Sequence, residues 1–120
     1  MNFSAHIYTD IESDRKFNKV YNKITRLSPA KDIFIVTLPI YKHGLFEIYK
    51  YDEMLQYYYR TVDDKIFIMG IASSKAKAKE LVTDMINDMI TLHFPLDSKA
   101  YFEYLRKAEV KEKAMENLQG

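Results

Sequence analysis

Apolar residues recur along this chain at two different periods, and the switches between them mark out its elements. Phe3, Ala5 and Ile7 alternate with Ser4, His6 and Tyr8, the period-two pattern of a half-buried strand. Thr9 and Glu12 then stand in T-x-x-E spacing, a capping box that predicts a helix start. Behind it Phe17, Val20, Tyr21, Ile24 and Leu27 follow at intervals of three and four. Ser28-Pro29 ends this first helix, because a residue before proline is pushed out of the helical region.

The run Ile33 to Leu38 is β-branched and aromatic with little polar alternation, as expected of a central strand buried on both faces. Tyr41-Lys42-His43-Gly44 reads as a turn, and Leu45 to Tyr51 sets Phe46 and Ile48 against Glu47 and Tyr49, so residues 33 to 51 form an antiparallel hairpin. Asp52 to Arg60 carries two signals. Tyr57-Tyr58-Tyr59 favours a strand, whereas Met54, Leu55, Tyr58 and Val62 fall at helical spacing behind Asp52, a good N-cap, and the helix is preferred. Asp63-Asp64 breaks the chain before Ile66 to Ile71, a second buried strand.

From Ser73-Ser74 onward Ala78, Leu81, Val82, Met85, Ile86, Met89 and Ile90 make a continuous apolar stripe, so a long amphipathic helix runs to about Leu92. Strand, tight connection and helix are half of a βαβ unit, which lays the helix on one face of the sheet. The passage from Ile66 to Ala72 into this helix resembles small bacterial α/β domains, without singling out a family. Phe94-Pro95 stops the helix. Asp97 or Ser98 caps a last one packed through Tyr101, Tyr104, Leu105 and Ala108, and from about Arg106 charge takes over, which predicts a solvated or frayed end. The expectation is a single compact α/β (α+β) domain over residues 1–120: a three- or four-stranded mixed sheet with a β-hairpin, packed against amphipathic helices.

Composition narrows the function classes. A 48% apolar share with 29% charged residues is that of a folded domain. Eighteen Lys and Arg against seventeen Asp and Glu leave a formal charge of +1, so an electrostatic partner must be met by a local patch. With no Cys, thiol catalysis and Cys-ligated metals are excluded. The apolar runs fall far short of the ~20 residues that span a bilayer, and the polar Asn2, Ser4 and His6 do not resemble a signal peptide; a cytoplasmic protein without membrane contact is expected.

Candidate chemistry lies in three places. Tyr49, Tyr51, Tyr57 and Tyr59 cluster in sequence, and tyrosine suits interfaces because an apolar ring carries a hydrogen-bonding tip. They point to a non-catalytic interaction module that binds a protein partner or itself. Arg15, Lys19, Lys23 and Arg26 share about 80° of the first helix, since each step of four residues advances roughly 40°. Lys16 and Lys31 extend this stripe, and residues 1–31 carry six basic against three acidic residues, a local +3, so a nucleic-acid-binding regulator is the alternative. Ser73, Ser74 and Lys75 at a strand-to-helix turn are a third candidate, for an anion, though the second glycine of a P-loop is missing.

No cofactor or metal is expected. His6, His43 and His93 lack ligand spacing, and Asp84 and Asp88, one helical turn apart, also belong to the polar face of their helix.

Overall fold

The computed structural model of the protein describes residues 1–40, 44–57, 65–94 and 96–119. In chain order they form β1 (Asn2–Thr9), α1 (Asp14–Thr25), β2 (Phe34–Thr37), β3 (Glu47–Lys50), α2 (Tyr51–Tyr57), β4 (Phe67–Ala72), α3 (Lys75–Thr91) and α4 (Ser98–Gln119). The strands make one mixed sheet in the order β1-β4-β2-β3. β1 runs parallel to β4, and β2 is antiparallel to both β4 and β3, so the predicted hairpin is present and its first strand is central.

Side chains alternate across the two central strands, and each face has its own core. Ile35, Ile68 and Ile71 pack on Ile24 of α1 and on Tyr51 and Met54 of α2. Val36, Met69 and Ala72 pack on Ala78, Leu81, Met85 and Met89 of α3 and on Tyr101 of α4. The architecture is therefore helix layer, sheet, helix layer, the arrangement that lets strands as apolar as β2 and β4 lose water on both sides.

Two irregularities sit side by side in the sheet. Val36 pairs with Gly70 but Thr37 pairs with Ile68, so Met69 is an extra residue in β4. Such a bulge turns two successive residues toward the same face. Met69 is fully buried against α3, and a Cβ on Gly70 would lie 3.0 Å from Met85 Cε, 3.2 Å from the Tyr8 carbonyl oxygen and 3.3 Å from Leu81 Cδ1. Glycine is favoured here by close approach, since any Cβ would force its neighbours to give. Opposite it, β1 pairs Phe3 with Ile68 and next Tyr8 with Gly70, so Ser4 to Ile7 step out of register. The buried hydroxyls of Ser4 and Thr37, both beside this place, find no hydrogen-bond partner among the described residues.

Several boundaries differ from expectation. α1 begins at Asp14 with Ser13 as N-cap, its Oγ accepting from the Lys16 N–H at 3.3 Å. Thr9 instead accepts from the Ile11 N–H at 3.1 Å, and the chain uses Asp10 to Ser13 to turn off the sheet before the helix can start. At the other end Leu27 adopts a left-handed φ of 55°, with the Ser28 N–H donating to the Lys23 carbonyl at 2.8 Å, so the helix stops ahead of Ser28-Pro29. His93 closes α3 in the same way, with Phe94 N–H donating to the Met89 carbonyl.

Residues 51–57 are helical as preferred, but the helix starts at Tyr51, and Asp52, expected to cap it, accepts from the Ala30 N–H at 2.9 Å. The rest of the ambiguous stretch, 58–60, and the turn at 41–43 lie outside the described residues. Asp97, one of the two expected caps, accepts from the Ala100 N–H at 3.1 Å, and the helix it opens stays helical in its backbone to Gln119.

Candidate functional site

β1 and β4 are parallel neighbours, and the helices that follow them leave on opposite faces: α1 joins the first core, α3 the second. In open α/β sheets the crevice outside the carboxyl ends of two such strands is where ligands bind, because the two connections diverge and leave a gap. Here the ends are tied together. Asp10, just past β1, accepts from the Ser73 N–H at 2.9 Å with one carboxylate oxygen and from the Ser73 hydroxyl with the other.

Beside this tie, on the α1 side, opens a groove of about 290 Å³. Its floor is aliphatic, made by Ile11, Val20, Ala30 and Ile33, and Ser73 stands at its end. Lys16, Lys19 and Lys23 line it from α1 and Lys31 from the α1–β2 connection. None of the four lysines has an ion-pair partner among the described residues. Lys31 is placed by its neighbours: Tyr51 donates through its hydroxyl to the Ser28 carbonyl and through its N–H to the Ile33 carbonyl, both at 2.9 Å, and Asp52 holds Ala30. Asp32, with a φ of 55°, supplies the left-handed turn, which Asp tolerates better than most residues.

Of the expected basic stripe, the structure brings Lys19 and Lys23 to the groove together with Lys16 and Lys31, while Arg15 and Arg26 do not line it. The helix phase explains this. Lys16 and Lys23 sit about 80–100° around α1 from Arg15, toward the sheet, whereas Arg26 returns to within roughly 20° of it. The anion trio is split three ways. Ser73 reaches the groove but donates to Asp10, Ser74 caps α3 by accepting from the Lys77 N–H at 3.1 Å, and Lys75 lines a separate depression at the β3 edge with Tyr49, Lys50 and Glu53.

The tyrosines fare differently from one another. Tyr51 is fully buried in the first core and is corrected from interface to core residue. As the first residue of α2 it points inward, and its phenol satisfies the Ser28 carbonyl in the α1–β2 connection. Burial and the neighbouring Asp52 push its pKa up to about 12. Tyr49 is half-buried and donates to Glu47. The backbone of Tyr57 ends α2, and Tyr59 lies outside the described residues.

A phenol cluster that sequence reading missed links three elements. Tyr8 of β1 donates to the Asp88 carboxylate of α3, and its oxygen lies 2.7 Å from the hydroxyl of Tyr101 of α4. Burial, and then the hydrogen bond to Asp88, raise the Tyr8 pKa far above the ordinary phenol value, and burial raises that of Tyr101. Both phenols therefore stay protonated and act as ties, not as bases. Only the separation of Tyr8, Asp88 and Tyr101 along the chain hid them. Asp88 is thus engaged away from Asp84, His6 and His93 are exposed, and His43 lies outside the described residues. Among the described residues no three His, Cys, Asp or Glu side chains gather as a metal site would require, and no helix is long and apolar enough to cross a membrane.

No protein-family model, curated protein or solved structure matches this chain.

Proposed function

We propose that the protein is a non-catalytic module that binds the phosphate backbone of a nucleic acid in the lysine groove of α1. The observation that carries this reading is the convergence of Lys16, Lys19, Lys23 and Lys31, from two segments of the chain, on one groove in which no carboxylate among the described residues pairs with them. Like charges held side by side repel, and a polyanion relieves that repulsion while releasing its own counterions. Lys16 to Lys23 advances about 10 Å along the helix axis at ~1.5 Å per residue, a length over which a phosphate backbone presents more than one phosphate, since one strand of a duplex carries one per ~3.4 Å of its axis. A tyrosine-mediated protein contact has less support, because Tyr51 is core and Tyr49 is engaged by Glu47.

Fluorescence anisotropy with short labelled single- and double-stranded DNA and RNA tests the reading. Four phosphate contacts on a single strand should weaken binding by roughly fiftyfold between 50 and 200 mM salt. Lys19→Glu with Lys23→Glu should lower affinity at least tenfold at the lower salt while the helical circular dichroism stays unchanged, since Lys19 is exposed and Lys23 only half-buried at the flank of α1. Affinity that ignores either salt or this double substitution would remove the groove as the binding surface.

A further inference from the structure

A second and larger cavity, of about 470 Å³, lies at the opposite end of the sheet from the lysine groove, between the end of β2, the start of β4 and the first turns of α4. Its body is apolar, lined by Leu38, Pro39, Ile40, Phe67 and Phe102. The two rings meet edge to face, with centroids 5.3 Å apart and planes at 80°, so the aromatic wall is held by packing between β4 and α4. Its size falls within the range of small-molecule sites, and apolar walls with a few charged groups at the mouth are their usual composition.

The mouth carries Lys65, Lys99 and Glu103. Glu103 is already engaged by Arg106, whose Nε and Nη2 donate to one carboxylate oxygen at 3.1 and 2.9 Å. Neither lysine has an ion-pair partner among the described residues. Because Arg106 already neutralises Glu103, the two ammoniums are left over among the described residues, one for each oxygen of a carboxylate headgroup.

We infer that this cavity binds an amphiphile with a single carboxylate, a medium-chain fatty acid in chemical class, its chain against Phe67 and Phe102 and its headgroup between Lys65 and Lys99. Burying the chain supplies affinity in proportion to the apolar area removed from water, and the flexible lysine stems can follow the headgroup while their charged ends stay wet.

Amide-resolved NMR titration of the isotopically labelled protein with decanoate, kept below its micelle concentration, tests this, with decanol and acetate as controls. Decanoate should shift the amides of Leu38, Ile40, Phe67 and Phe102 saturably. Decanol should bind the same place at least tenfold more weakly, and acetate should produce no saturable shift. Lys65→Met with Lys99→Met, two exposed positions, should bring decanoate down to the affinity of decanol. The proposal is overturned if decanoate gives no saturable shift, if its shifts map to the lysine groove or elsewhere, if decanol binds equally well, or if the double variant binds decanoate as the parent does. None of these readouts depends on nucleic-acid binding, so the two proposals stand or fall separately.

Discussion

Tyr51→Ala should destabilise the fold by about 3–5 kcal/mol, the usual effect of emptying a buried aromatic position. A domain of this size has of the order of 5–15 kcal/mol in all, so the loss is a large fraction of it. Tyr51 is fully buried between α1, α2 and the sheet, and the side chains around it come from elements already fixed by their own hydrogen bonds, which limits collapse into the space. Tyr51→Phe keeps the ring and removes only the donor to the Ser28 carbonyl, and should cost about 1 kcal/mol.

The same pair of variants separates packing from ionisation. The unfolded phenol titrates near 10 and the folded one at about 12, so the fold prefers the neutral form. Its contribution is complete below pH 10 and is lost as the pH rises toward 12. Urea unfolding followed across that window should show stability falling less steeply in Tyr51→Phe than in the parent. Tyr8 and Tyr101, raised in the same direction, keep some slope in both. An identical slope would mean that Tyr51 reaches water. Because Tyr51 also pins the connection that carries Lys31, Tyr51→Ala at temperatures where it remains folded should weaken binding at the lysine groove as well.

Gly70→Val should be nearly as damaging, at about 3 kcal/mol, the upper part of the range for overpacking a closed site. The bulge at Met69 aims Gly70 at α3, and the first atom added would already crowd Met85, the Tyr8 carbonyl and Leu81. Met85 offers the far end of a flexible side chain and can move, whereas the carbonyl belongs to backbone paired with β4. A double-mutant cycle tests this account. Met85→Ala alone should cost about 2–5 kcal/mol, but in combination with Gly70→Val the total should fall short of the sum by about 1 kcal/mol or more, since each change fills or empties the same space. Strict additivity, read from denaturant midpoints, would show that the strain lies against Tyr8 instead.

These two residues also show what a sequence can and cannot reveal. The stripe from Ala78 to Met89 is local, and it correctly predicted α3; alternation and the turn residues likewise located the hairpin. Thr9-x-x-Glu12 had the form of a cap, yet Ser13 won because the chain first had to leave the sheet and give Asp10 to Ser73, 63 residues further along the chain. Gly70 stands inside the apolar run from Ile66 to Ala72 with nothing local to mark it. That it sits in a bulge depends on the pairing of β4 with β2, which no local period records. Tyr51 carried the same ambiguity as every tyrosine, with a ring that packs and a tip that bonds, and only the position of Ser28 decides between core and surface. The lysine groove was half legible. Helical phase gave Lys19 and Lys23, and Lys16 and Lys31 were expected to extend their stripe, but that Arg15 and Arg26 drop out follows from the tertiary placement of α1 on the sheet.

The sheet order places β1 at an edge, with β4, the most uniformly apolar strand, directly behind it. β1 keeps only two short stretches of regular pairing on either side of its misregister, and the rest of its hold comes from the Tyr8 and Asp10 ties at its far end. Peeling would bare the backbone of Phe67 to Ala72, a segment without a charge or a proline to discourage a matching strand from another molecule. β1 therefore serves as a guard over a sticky edge. Light scattering that rises on mild heating before the helical signal falls would be the mark of its release.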